Sequence, residues 1–214
     1  MMSVGNSRGP VSRIVPRSLR AYFGRTFCQI SESKPGTKVS FCVQDSDASS
    51  LSAVEFDTFK KDRYASMWQK CGHLPCSVDA LYFPKGKNQI FAVEFKTGDA
   101  NGTNLVRKIY DTIMCLSEYG GIRFSYERAR KELCYVVVAP ERDIKAEEKS
   151  RQKRQSANLA CALSRAMVYQ DNPEFGEGAR AFFGLNKLEG VIVSRVFTLS
   201  PGKFAAFARD QSWV

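Results

Sequence analysis

Ser77-Val78-Asp79-Ala80-Leu81-Tyr82-Phe83-Pro84-Lys85-Gly86-Lys87-Asn88-Gln89-Ile90-Phe91-Ala92-Val93-Glu94-Phe95-Lys96-Thr97 is the stretch on which the fold turns. Two runs rich in aromatic and β-branched residues flank a Pro, Lys, Gly and Asn cluster, which predicts a β-hairpin with its turn near Gly86 and Lys87. Residues equidistant from that turn face each other across the hairpin. The pairing makes Asp79 and Glu94 cross-strand neighbours, their Cβ atoms about 5 Å apart. Period two then sorts the side chains. Asp79, Leu81 and Phe83 share a face with Ile90, Ala92, Glu94 and Lys96, while Val78, Ala80 and Tyr82 share the other with Phe91, Val93 and Phe95. Both faces are largely apolar, so the sheet is expected to be covered on both sides.

Asp79, Glu94 and Lys96 collect at one end of one face. Two carboxylates placed opposite each other destabilise a sheet unless a cation lies between them, and Lys96 alone meets only part of that need. A divalent ion is the expected remedy. Oxygen donors of this kind suit Mg2+ or Mn2+, which keep several waters and bind substrate phosphates. The bland reading of the same residues is a solvated hairpin end with an incidental ion pair.

At Asp79 and at Glu94-Phe95-Lys96 the sequence resembles the PD-(D/E)XK nuclease superfamily, the fold of many restriction endonucleases, junction resolvases and repair exonucleases. The similarity covers roughly residues 50 to 140, and Val78 stands where that family often has proline. The resemblance implies an α/β fold with a restriction-endonuclease-like core, a central mixed β-sheet flanked by helices in the order α-β-β-β-α-β. It implies that Asp79, Glu94 and the carbonyl of Phe95 hold the metal and that Lys96 orients or activates the attacking water. The expected activity is metal-dependent phosphodiester hydrolysis, with DNA preferred as substrate and a 5′-phosphate as product. A non-catalytic nucleic-acid-binding protein on the same scaffold is the alternative. Many members work as dimers, so a homodimer stays open.

The 214 residues, 43% of them hydrophobic, suffice for one substantial domain. Thirty-two Lys and Arg against 22 Asp and Glu leave a charge of +10, which favours an anionic partner. Nucleic acid ranks ahead of membrane because no long apolar segment occurs. Seven cysteines in no regular framework suit a reducing compartment, and the expected location is cytoplasmic. Residues 1–44 carry seven basic residues against the single acid Glu32 and are expected to form a partly flexible basic arm, either touching phosphates or merely solvated. Pro10 and Pro16 argue against a targeting helix there. A short strand is expected at 39–43, and residues 45–214 are expected to form a single α/β nuclease-like domain.

Residues 51–70 read as a helix with Leu51, Phe56, Phe59 and Met67 inward and Asp57 on the opposite side. Glu55 lies within the inward stripe. It is read either as a further acid near the metal, as the resembled family often supplies from this helix, or as the closing residue of a capping box with Ser52. Cys71 and Cys76 with His73, the one histidine of the chain, hint at zinc but lack a fourth ligand, so a tight turn is the preferred reading. A second helix is expected from Thr103 or Asn104 to about Tyr119, with Val106, Ile109, Ile113 and Leu116 buried. Arg107 and Lys108 near its start are read as a phosphate clamp or a solvated face. Val106 stands where an exonuclease-type Gln-x-x-x-Tyr pattern would need glutamine before Tyr110. Residues 133–139 form an apolar run stopped by Pro140, expected as the last core strand. A helix over 145–170 follows, with Lys153 and Arg154 as candidate nucleic-acid contacts, then a loop over 171–190, a strand over 191–199 and a short helix with Phe204 and Phe207 inward.

Overall fold

The computed structural model describes residues 15–33, 40–41, 50–71, 74–97, 101–119, 124–157 and 181–213. The elements in chain order are β1 (Phe23–Thr26), α1 (Phe27–Ile30), β2 (Glu32–Ser33), β3 (Ser40–Phe41), β4 (Ser52–Glu55), α2 (Phe56–Cys71), β5 (Ala80–Tyr82), β6 (Ile90–Phe95), α3 (Gly102–Tyr119), α4 (Tyr126–Glu132), β7 (Leu133–Val138), α5 (Glu141–Ala157), β8 (Arg195–Leu199) and α6 (Pro201–Asp210). Short 3-10 turns occupy Arg17–Tyr22 and Leu185–Leu188.

The expected hairpin is present. β5 and β6 pair antiparallel with Ala80 opposite Val93, Leu81 opposite Ala92 and Tyr82 opposite Phe91; the ladder ends there, and Asp79, just before it, donates its amide to the Val93 carbonyl. Gly86 takes a positive φ of 75°, a conformation open to glycine at little cost, and the Lys87 amide donates to the Pro84 carbonyl. The faces sort as period two dictates, with one exception. Leu81, Phe83, Ile90 and Ala92 enter one apolar cluster, and Ala80, Phe91, Val93 and Phe95 enter the other. Val78 was expected with Ala80 but packs in the first cluster. It precedes the ladder, and its amide donates to Thr112 Oγ1 of α3 rather than to a strand.

Around this hairpin the chain builds a six-stranded mixed sheet in the order β1-β4-β5-β6-β7-β8, antiparallel up to β6 and parallel from β6 to β8. Every residue of β6 and β7 is buried, as central strands covered on both faces require. On one side lie α3 and the aromatic face of α2, where Phe56, Phe59 and Tyr64 are almost fully inaccessible. On the other side Phe27, Phe91, Phe95, Phe204, Phe207 and Trp213 form an aromatic cluster, with Trp213 4.5 Å from Tyr82 and 4.6 Å from Phe91 between ring centroids. Burial of each such ring contributes about 1.5–3 kcal/mol before entropy is charged against it.

Four expectations are corrected by these elements. Residues 52–55 are strand rather than helix: Ser52–Glu55 is laddered on both sides, by β1 and by β5, and four residues are too few to show their period. Helix α2 therefore follows β1 and β4 instead of preceding the strands. The strand expected at 39–43 is present at Ser40–Phe41 but pairs with β2 in a separate two-stranded sheet. β7 is not the last core strand, because β8 adds parallel to it. The described part of the basic segment is built into the domain: β1 pairs with β4, and Leu19 and Phe27 are fully buried.

Helix α3 begins at Gly102, ahead of the expected start, because Asn101 Oδ1 accepts the amides of Thr103 and Asn104. Gly102 is needed there, since a Cβ would fall on the Phe183 carbonyl oxygen. Helix α4 was not expected, while α6 opens at Pro201 with Phe204 and Phe207 buried, as read from the sequence. α5 starts at Glu141, earlier than expected, and residues 158–170 of that expected helix lie outside the described residues. No helix among the described residues is long and apolar enough to cross a membrane.

Candidate active site

Three elements meet at the carboxyl end of β6. Asp79 leads into β5, Glu94 and Lys96 lie at the end of β6, and Lys108 reaches in from α3. Glu94 is almost completely buried, with 1% of its side chain exposed, which demands cationic partners. It has two. Lys108 Nζ lies 2.6 Å from Glu94 Oε1 and 2.8 Å from Oε2, and Lys96 Nζ lies 2.8 Å from Oε1. Lys108 Nζ is also 3.6 Å from Asp79 Oδ1, so one ammonium bridges the two facing carboxylates.

The backbone contributes to the same place. Lys96 donates its amide to the Val138 carbonyl of β7, and strand alternation turns the amide of Phe95 the other way, toward Asp79. The Phe95 amide donates to Asp79 Oδ2 at 2.7 Å. Asp79 is held at its own backbone as well, its amide bonded to Val93 and its carbonyl accepting from Phe56 at the start of α2.

Burial raises the Asp79 carboxyl far above its usual range, and the Glu94 charge raises it further; Lys108, the Phe95 amide and Lys96 offset only part of this, leaving it at about 7. Burial alone would lower the Lys108 ammonium, but the charges of Asp79 and Glu94 and the bond to Glu94 outweigh it, so Lys108 is held above the ordinary lysine range and stays charged. Asp57 also contributes to that field. It sits in the first turn of α2, paired with Lys60 at 2.5 Å and Lys61 at 2.6 Å, and accepts from Ser77 Oγ at 3.4 Å. Burial raises Asp57, but the two lysines outweigh it and hold the carboxyl below its usual range.

Of the residues singled out in the sequence, Asp79, Glu94, Phe95 and Lys96 come together. Glu55 does not join them. It pairs with Ala80, so its side chain belongs to the opposite sheet face, where Arg25 Nη1 binds it at 2.9 Å; neither the metal-acid nor the capping-box reading describes it. Arg107 is exposed and pairs with Asp111 at 3.6 Å, one step around the helix from the inward-turned Lys108, so the two do not form a common clamp. Lys153 and Arg154 fall within the span of α5, but their side chains lie outside those described. The Cys71 to Cys76 turn is described only in part; Cys76 is a half-buried free thiol whose amide donates to Asp111.

The sequence reading missed the placement of two residues here. Lys108 stands three residues after buried Leu105 and four before buried Thr112, and a lysine inside a buried stripe was the available signal. Asp57 gave no comparable sign, because its place depends on where α2 begins.

Asp79 Oδ1, which the Phe95 amide leaves open, and the Glu94 oxygens are the donors that could hold a hard divalent cation. Among the described residues no group of three or more His, Cys, Asp and Glu side chains is placed to hold a metal ion. The acids are two carboxylates with Lys108 between them. Compared with protein-family models, with curated proteins and with solved structures, the chain matches none of them.

Proposed function

We propose that this protein is a Mg2+- or Mn2+-dependent phosphodiester hydrolase of the PD-(D/E)XK kind, acting on nucleic acid with DNA preferred. The observation that supports the reading is the convergence of Asp79, Glu94 and Lys96 on one sheet face, with the amide of Phe95 turned toward Asp79. In this reading the strand order from β4 through β7, with α3 as the crossover, is the nuclease core, and the net charge of +10 favours the polyanionic substrate.

When bound, the cation supplies Lewis-acid polarisation of the phosphate and a lowered pKa for an attacking water. The chain's own groups do the rest. Asp79 and Glu94 present oxygens whose directions are set by the hairpin register and by the Phe95 amide. Lys96, tethered to Glu94, offers a donor at the rim with 22% of its side chain exposed, where it orients the attacking water and offsets charge developing on the phosphate. Tyr135 lies near the acids, fully buried, its hydroxyl donating to the Leu105 carbonyl.

The test is incubation of the purified protein with single-stranded, duplex and branched DNA in Mg2+ or Mn2+, with Asp79→Asn alongside. Metal-dependent cleavage by the wild type and its loss in the variant support the reading; no cleavage of any substrate ends it. A second reading has its own support in Lys108, which balances the carboxylates without a metal. On that reading the protein binds nucleic acid without cutting it, binding falls steeply with salt, and Asp79→Asn leaves that binding unchanged.

A further inference from the structure

We propose that Lys108 is a resident counter-cation of the carboxylate pair, which a divalent ion must displace before the site can work. This rests on the metal-dependent reading above and adds the group that regulates metal entry. The ammonium of Lys108 takes both oxygens of Glu94 and approaches Asp79 Oδ1, so it occupies the acceptor positions a metal would need. The Lys108 ammonium and a divalent ion cannot both lie between Asp79 Oδ1 and Glu94 Oε2 without strong like-charge repulsion.

The fold gives Lys108 a place to go. Its backbone carbonyl is fixed by the Thr112 hydroxyl at 2.7 Å and the buried stripe of α3 holds the helix, but the side chain is 22% exposed on a flexible stem. A rotamer change frees Glu94 without moving α3. Lys96, the residue after β6, stays on Glu94 Oε1, so the oxygens that Lys108 yields to the ion are Glu94 Oε2 and Asp79 Oδ1, and Glu94 keeps one cation throughout the exchange. The displaced ammonium remains near the rim, where a substrate phosphate would be its next partner. Metal and substrate therefore enter together: the phosphate offers Lys108 a substitute for the acids it leaves.

The experiment is calorimetric titration of chelator-treated protein with Mn2+ alone, comparing the wild type with Lys108→Met and with Lys108→Gln, which retains a donor should the methionine form fold poorly. Removing the competitor is expected to tighten Mn2+ binding tenfold or more, about 1.4 kcal/mol. The variants should melt at lower temperature than wild type without metal and recover by a larger rise with it. A merely structural lysine would weaken binding or leave it unchanged, and either result overturns the proposal while leaving the hydrolase reading intact. If neither wild type nor variant binds Mn2+, the hydrolase reading falls and this proposal with it. Adding a short non-cleavable phosphorothioate oligonucleotide should raise the Mn2+ affinity of the wild type more than that of Lys108→Met; equal gains would also refute the exchange.

Discussion

Asp79→Asn should make this protein more stable, and more so as the pH rises. The side chain keeps its size and its acceptor for the Phe95 amide, while the charge that burial and Glu94 oppose is gone. In the unfolded chain Asp79 titrates near 3.8, in the folded chain near 7. Between those values the native state holds a proton that the unfolded state has released, so wild-type stability declines as pH rises through that window, and the whole deficit is present above it. At about 1.36 kcal/mol per unit the gap sets a ceiling of roughly 4 kcal/mol. The carboxylate is 24% exposed, and partial solvation brings the expected gain down to about 1–2 kcal/mol. For a chain of this length that is roughly 3–6 °C in Tm.

The assay is thermal and urea denaturation in chelator from pH 4 to pH 8.5. The two proteins should coincide at the acid end and separate progressively above it, with the variant ahead. A variant less stable than wild type at pH 8, or a difference that does not change with pH, would refute the argument that a buried, opposed carboxylate is maintained here at the expense of stability. Saturating Mn2+ should reverse the order, because only the wild type retains both acids.

Three further outcomes follow from the packing and the faces. Trp213→Ala removes the ring shared by Tyr82, Phe91, Phe204 and Phe207 and should cost about 3–5 kcal/mol in urea denaturation; a loss below 1 kcal/mol would mean the carboxyl-terminal segment is not part of the core. Gly102→Ala drives a methyl into the Phe183 carbonyl and should cost about 1–3 kcal/mol; an unchanged Tm would count against the close approach. Glu55→Gln breaks only a pair with the exposed Arg25, so stability should change by less than about 1 kcal/mol and the Mn2+ response should be unaltered, whereas a lost response would put Glu55 back in the site.

The hairpin, the nearness of Asp79 and Glu94, the interior strand β7 and the aromatic helix α6 were legible because each is written in a local pattern. Period two fixes which residues share a face once a turn is located, and an unbroken apolar run can only be interior. Four residues such as Ser52–Glu55 carry too little pattern to declare themselves; β1 and β5 on either side make them a strand by satisfying their backbone groups. That single change sends Glu55 to the far face toward Arg25 and moves the helix start to Phe56, with Asp57 in its first turn. Lys108 is the clearest case of tertiary decision. Its position on α3 follows from the sequence, but the identity of its partners depends on how that helix rotates and docks over β6, and a buried Glu94 then draws the nearest ammonium to itself. The acids are set by strand geometry close along the chain; the cation that holds them is set by packing between elements, where no short-range pattern reaches.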